Sequence, residues 1–143
     1  MLADHVHPQL EERYEVLQGE VTFSVDRKPR RAGAGERLVV PAGVRHSFEN
    51  TGTGVARVVA EADPALALRE SIQDGAVLTQ TEKFTANGKP RSLRALVEAA
   101  ALAARYRETV VLCSPPPLVQ RVLFPLLARF AVRKPEPAPV RAR

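Results

Sequence analysis

The stretch HVHPQLEERYEVLQG at residues 5–19 decides the fold. His5 and His7 are two residues apart, so a β-strand would place both rings on one face. From Glu11 onward apolar and polar residues alternate, as in a half-buried strand. Glu12 follows His7 after four intervening residues, where the next strand would return antiparallel. The stretch therefore predicts two short strands that bring two imidazoles and a carboxylate together.

The residues that follow predict further short strands separated by turns. Turn chemistry is found at Asp26–Pro29, Ala34–Glu36 and Pro41–Gly43. Strands are expected at Val21–Val25, Arg37–Val40, His46–Asn50 and Val55–Ala60. Many short strands at regular spacing indicate an all-β barrel or sandwich. By their parity, four side chains would line its interior, either as core or as a platform for a substrate: Tyr14, Val16, Phe23 and Phe48.

From Pro64 onward the pattern becomes helical. Helices are expected at Ala65–Ser71, Ser92–Arg107 and Pro116–Val132, and a strand at Thr109–Cys113. Ser92 is a candidate N-cap of the second helix. An apolar stripe on that helix is formed by Leu93, Leu96, Val97, Ala100 and Ala104. Pro125 should bend or interrupt the third helix.

Length and composition indicate one small globular protein. The chain has 143 residues, which leaves little for a second core. Its one cysteine, Cys113, excludes an internal disulfide and suits a reducing compartment. We find no signal peptide and no apolar run of about 18 residues that could span a membrane. We therefore expect a cytoplasmic location.

The charge is distributed unevenly. Residues 1–62 hold 8 Lys and Arg against 9 Asp and Glu, a net charge of −1, and residues 63–143 hold 13 against 7, a net charge of +6. A basic segment is compatible with nucleic acid or an anionic membrane. The chain has no recognisable nucleic-acid motif and few aromatic residues for base stacking. We therefore expect a solvated basic surface and no nucleic-acid partner.

The chain has three histidines, and the third, His46, opens a strand after the turn at Pro41–Gly43. Three imidazoles and one carboxylate suit Fe, Mn, Ni, Cu, Co or Zn. Two alternatives remain open at this point. Glu11 could replace Glu12 as the carboxylate, and the first two histidines could instead be surface residues near the terminus.

The spacing of these residues resembles the two motifs of the cupin superfamily. The first motif is similar to His5-Val6-His7, four residues, Glu12, six residues and Gly19. The fixed positions of the second are occupied by Gly35, Pro41, Gly43, His46 and Asn50. The resemblance implies a jelly-roll barrel with a metal near one mouth, whose ligands are His5, His7, Glu12 and His46. It implies structural roles at turns and strand ends for Gly19, Pro41, Gly43 and Asn50.

The first cupin motif normally begins with a glycine five residues before its first histidine, whereas only four residues precede His5. We therefore expect the N-terminal strands of the barrel to be missing. The interpretation divides the chain into a cupin barrel at residues 1–62, a helical extension at 63–133 and a disordered basic tail at 134–143.

The resemblance leaves two functions open. The first is a metal-dependent enzyme, dioxygenase-like or of isomerase or lyase type, that acts on a small organic molecule and uses Glu12 as a ligand or as a catalytic base. The second is a non-catalytic module that binds a small molecule or a metal. No organic cofactor is expected.

The third predicted helix is apolar around most of its circumference. Such a helix is usually buried against protein, so we expect the extension to cover the barrel within one subunit or across a homodimer. Membrane binding is disfavoured by Pro125 and by the narrow polar face of the helix.

Overall fold

The computed structural model describes residues 4–80, 82–85 and 89–131. These residues form eight strands and three helices. The strands are β1 (His5–Val6), β2 (Glu11–Gln18), β3 (Glu20–Val25), β4 (Lys28–Gly33), β5 (Arg37–Val40), β6 (His46–Asn50), β7 (Arg57–Asp63) and β8 (Val111–Leu112). The helices are α1 (Leu68–Thr79), α2 (Leu93–Arg105) and α3 (Pro117–Ala128).

The strands form two antiparallel sheets. One has the order β4-β3-β6-β1-β8, and the other has the order β5-β2-β7. Side chains of both sheets build one core, whose buried members are Tyr14, Val16, Val21, Phe23, Ala32, Leu38 and Val40. The β-rich fold with C-terminal helices is therefore confirmed. Phe23, at 1% exposure, lies in this core, and Phe48 packs against it.

The link between β2 and β3 requires a glycine. Gly19 has φ +77°, and a Cβ atom there would lie 2.7 Å from the carbonyl oxygen of Val55. Only glycine adopts this backbone conformation readily and leaves room for the neighbouring chain. Gly19 thus sets the point at which the chain passes from one sheet into the other, as its expected structural role required.

Two strands differ from the sequence prediction. The residues Lys28 and Pro29 were assigned to a turn, but they begin β4, and the turn consists of Asp26 and Arg27, whose φ angles are 48° and 63°. The strand was missed because its sequence, KPRRAG, lacks the alternation of a half-buried strand. β4 lies at the edge of its sheet, where proline is tolerated. The other difference is β7, which runs from Arg57 to Asp63 instead of from Val55 to Ala60.

The strand prediction in the C-terminal part is confirmed over two residues. β8 pairs with β1, with Val111 opposite Val6 and Leu112 opposite His5. A segment from beyond the predicted barrel boundary thus completes the five-stranded sheet. The boundaries 62/63 and 133/134 stay predictions, and the predicted tail 134–143 lies outside the described residues.

The first two helices compare with the prediction in different ways. α1 extends to Thr79, well past the predicted end at Ser71. The helix continues through Gly75, although glycine is a poor helix former. The cap of α2 is confirmed, since the Ser92 side chain accepts a hydrogen bond from the Ala95 amide.

The apolar stripe predicted for α2 is wrong at two positions. Leu93 and Leu96 are 74% and 42% exposed, whereas Ala95 and Ala100 are buried. α2 contacts both α1 and α3, and small residues allow such neighbours to approach closely.

α3 contains Pro125 within its span and buries Gln120 and Phe124. Several of its large apolar side chains are exposed in the single chain. They are therefore not covered within one subunit, and their coverage across a homodimer stays a prediction. The predicted end of this helix at Val132 lies outside the described residues. None of the described helices is long and apolar enough to cross a membrane.

Candidate metal centre

The two sheets bring the four predicted ligands together. His5 on β1 lies directly opposite His46 on β6 in the antiparallel register, and His7 follows β1 immediately. Glu12 lies on β2 in the other sheet and faces the same interior. One potential ligand atom from each residue lies within 4.8 Å of all the others.

The cluster is compact around one carboxylate oxygen. Glu12 Oε2 is 2.7 Å from His46 Nε2 and 3.2 Å from His7 Nε2. The Nε2 atoms of His5 and His7 are 3.1 Å apart. The three imidazole ring centroids are between 4.3 and 5.2 Å from one another.

Backbone carbonyls orient two of the three rings. His7 Nδ1 lies 2.6 Å from the carbonyl oxygen of Thr109, and His46 Nδ1 lies 2.9 Å from that of Val44. A carbonyl only accepts hydrogen bonds, so each Nδ1 carries the proton and donates. Each Nε2 atom therefore faces the cluster, where it offers a lone pair to a metal when the ring is neutral and donates to Glu12 when the ring is protonated and no metal is bound. Such partners of the second ring nitrogen are typical of histidines that bind metals.

Glu12 is held as a carboxylate. Its burial would raise the pKa, but hydrogen bonds from His46, His7 and the Tyr14 hydroxyl outweigh burial, and the pKa of Glu12 lies well below its ordinary value. The Tyr14 hydroxyl donates to Glu12 Oε2 at 2.6 Å. Burial, followed by the charge of Glu12 and this hydrogen bond, raises the pKa of Tyr14. Tyr14 is thus a phenol, and it supports a charged carboxylate.

This geometry calls for a positive charge at the centre of the cluster. Neutral His7 and His46 rings would direct their Nε2 lone pairs at the Glu12 carboxylate, and lone pairs at 3.2 and 2.7 Å repel unless a proton or a cation lies between them. Three nitrogens and one carboxylate oxygen are ligands that transition metals of borderline softness accept. The four residues could therefore hold a divalent transition metal.

The cluster is covered by protein. His5, His7, Glu12 and His46 are between 2% and 5% exposed. Thr109, itself 3% exposed, lies against His7. The amide of Cys113 donates to the carbonyl of Asp4 at 2.9 Å, so the segment 109–113 is fastened to the strand that carries the first ligand.

α3 holds this covering segment in place. The Gln120 side-chain amide donates to the carbonyl oxygens of Leu112 and Pro115, each at 2.5 Å. Gln120 is 7% exposed, so these bonds are shielded from water. The helical extension thus reaches the cluster through a chain of hydrogen bonds that runs from Gln120 through β8 to β1.

The structure answers two questions that the sequence left open. Glu12, and not its neighbour, lies in the cluster, because Glu11 points away and pairs with Arg13 at 2.7 Å. The first two histidines are buried and are not surface residues at the end of the chain.

Two structural residues of the second motif hold turns, one of them beside the cluster. The Gly43 amide, at a residue with φ +79°, donates to the carbonyl of His7 at 2.8 Å. The Asn50 side chain closes the turn after β6 by donating to Gly54 and accepting from Gly52.

Two contributors to the cluster were missed from sequence. The Tyr14 hydroxyl could have been found, because Tyr14 is two residues after Glu12 and shares its face of β2. The Thr109 carbonyl could not, since a backbone atom 102 residues away along the chain leaves no signal in the side-chain pattern.

Known proteins resemble the N-terminal part of the chain. Residues 1–60 match the family described as Cupin domain. Protein SchB of Streptomyces halstedii is 36% identical over 63 residues, which are 44% of this chain and 46% of SchB. The chain thus spans about half the length of this relative.

Two solved structures cover a similar region. One is described as a predicted oxalate decarboxylase from Thermotoga maritima; it is 32% identical, with a TM-score of 0.40 over 41% of this chain and 51% of that chain. The other is the cupin domain of Schizosaccharomyces pombe Cnp3, which is 22% identical, with a TM-score of 0.37 over 43% of this chain and 47% of that chain. The family match and the two motifs cover the same residues, so residues 1–60 of the chain are a cupin domain.

Proposed function

We propose that the chain is a metal-dependent cupin that binds one divalent transition metal through His5, His7, Glu12 and His46 and acts on a small organic molecule. The observation that carries this proposal is the convergence of three imidazole nitrogens on one buried carboxylate, with the protons of two rings directed outward to carbonyls. A bound metal would supply a Lewis acid that polarises an oxygen of the substrate. The metal is one of Fe, Mn, Ni, Cu, Co or Zn.

Glu12 is better suited to bind the metal than to act as a base. In the metal-free cluster, hydrogen bonds from His46, His7 and Tyr14 stabilise its charged form and lower its pKa. A carboxylate stabilised in this way accepts a proton poorly near neutral pH. Glu12 therefore serves in this proposal chiefly as a ligand, and the Tyr14 hydroxyl keeps its oxygen directed at the centre.

A second candidate function, a non-catalytic metal or small-molecule module, is favoured by the burial of the site. The four residues are at most 5% exposed, and Tyr14, Phe23 and Phe48 pack beside them. Under the enzyme proposal, the segment 109–113 must move to admit a substrate. Under the second, it stays closed and the metal stabilises the fold.

Two measurements separate these functions. Metal analysis of protein purified without added metal tests the site itself. Oxygen uptake and product formation over a panel of small oxygen-bearing molecules, with and without a chelator, then test the enzyme proposal. We expect turnover that disappears on chelation and returns with the metal. Metal-loaded protein that turns over none of the panel would support the second function.

We also propose a cytoplasmic location. The single cysteine supports it, because a thiol that has no partner in the chain is compatible with a reducing compartment. Fractionation of cells that express the intact protein tests this proposal.

A further inference from the structure

The outer face of α3 is apolar, although it lies at the protein surface. Leu118, Val122, Leu126 and Phe130 are spaced four residues apart and are 74%, 61%, 47% and 78% exposed. We call these four residues the α3 apolar surface. The same helix turns the polar Gln120 inward, where it is buried. Apolar patches of this kind mark sites where a partner or a membrane binds.

The net positive charge of the chain is concentrated in the same part of the sequence. Residues 1–108 hold 15 Lys and Arg against 15 Asp and Glu, so their net charge is zero, and residues 109–143 hold six against one, a net charge of +5. Residues 109–131 contain no acidic side chain. Arg121 and Arg129, both exposed, belong to the helix and its C-terminal end. The partner of this surface must therefore accept both apolar side chains and positive charge.

We propose that the α3 apolar surface docks the protein on an anionic lipid membrane, with the apolar side chains in the interface and the arginines at the lipid phosphates. An interfacial helix gains affinity from buried apolar area together with attraction to anionic headgroups. From sequence, the narrow polar face of the helix disfavoured membrane binding. A wide polar face is not needed here, because the side of α3 opposite the apolar surface packs on α2.

A second copy of the chain fits this surface less well. A two-fold contact joins the same surface of both subunits. It would bring Arg121 and Arg129 of each copy close to those of the other, without an acidic residue in 109–131 to pair with them. An anionic membrane offers the opposite charge along the whole length of the helix.

Vesicle co-sedimentation tests the proposal with the full chain. We expect binding to vesicles of phosphatidylcholine mixed with phosphatidylglycerol, weak binding to phosphatidylcholine alone, and loss of binding in high salt. Phe130→Asp should weaken binding by about tenfold or more, because it places a charge at the interface. Arg121→Gln and Arg129→Gln should each weaken it by about fivefold.

The matched control is Ile72→Asp, which changes an exposed apolar side chain on α1 that is 60% exposed. It should bind as the unaltered chain does. Circular dichroism checks that each variant is folded. The proposal is overturned if the intact chain ignores anionic vesicles, or if Phe130→Asp binds them equally well. Light scattering that shows a dimer, converted to a monomer by Phe130→Asp and without vesicle binding, would assign the surface to a second copy instead.

Discussion

His7 Nδ1 and the carbonyl oxygen of Thr109 lie 2.6 Å apart, although 102 residues separate them in the chain. This hydrogen bond fixes the tautomer of His7 and joins the C-terminal extension to the candidate metal centre. The extension is therefore part of the site, because it supplies the wall that buries the cluster and the acceptor that orients one ligand.

Gln120→Leu tests this connection from a position outside the cluster. Leu112 and Pro115 would lose their hydrogen-bond donor, and the covering segment would loosen. We expect metal affinity to fall by about tenfold, as for other partners that orient ligands. We also expect a stability loss of about 1–3 kcal/mol, because two carbonyls lose their partner. Cobalt titration and urea denaturation measure both effects.

The control for this variant is Val122→Ala, at an exposed position of the same helix. Val122→Ala should change neither the metal affinity nor the stability. If Gln120→Leu binds cobalt as tightly as the unaltered chain, the extension does not position His7.

Tyr14→Phe tests the support of Glu12. The hydrogen bond from Tyr14 helps to lower the pKa of Glu12, so its removal raises that pKa. A group whose pKa is lowered by folding contributes stability above its ordinary value of 4.5, and this contribution is lost as the pH falls. The metal-free variant should therefore be less stable by about 1–2 kcal/mol at neutral pH. The difference in stability should shrink only as the pH falls through the lowered pKa of Glu12 in the folded chain, well below its ordinary value.

Metal binding by Tyr14→Phe should also fail at a higher pH than in the unaltered chain, because protons compete better for Glu12. Tyr106→Phe is the matched control, since Tyr106 donates to Asp74 at 2.7 Å and is not part of the cluster. If Tyr14→Phe loses its metal at the same pH as the unaltered chain, Tyr14 does not support Glu12 in the way assigned.

Gly19→Ala tests the passage between the sheets. The positive φ costs about 1–3 kcal/mol for a residue with a side chain, and the new Cβ atom would meet the Val55 carbonyl at 2.7 Å. We expect the free energy of unfolding to fall by at least this amount, which lowers the midpoint of urea denaturation. Gly54→Ala, where nothing lies within 4 Å of a Cβ atom, should be nearly neutral. Equal midpoints for the two variants would count against the constraint at Gly19.

The sequence predicted the parts of the site that side-chain spacing encodes. His5 and His7 are two residues apart, so strand periodicity places their rings on one face, and Glu12 follows on the next strand. Arg37–Val40 and His46–Asn50 were predicted at their observed bounds, because they are short and flanked by turns. β4 was missed, since an edge strand can be polar throughout.

Tertiary packing determines what spacing could not predict. α3 is apolar on most sides, yet Gln120 is the residue it buries together with Phe124. The need to satisfy the carbonyls of Leu112 and Pro115 explains the inward glutamine. No local sequence pattern indicates that these two carbonyls need a hydrogen-bond donor.

Metal content of two neighbouring carboxylate variants tests the central claim most directly. Glu12 lies in the cluster, whereas Glu11 pairs with Arg13 outside it. After loading and extensive dialysis, we expect about one metal per chain in the unaltered protein and in Glu11→Gln. Glu12→Gln should retain little or none while circular dichroism shows a folded chain. An unaltered, folded chain that binds no metal, or equal metal content in both variants, would contradict the account.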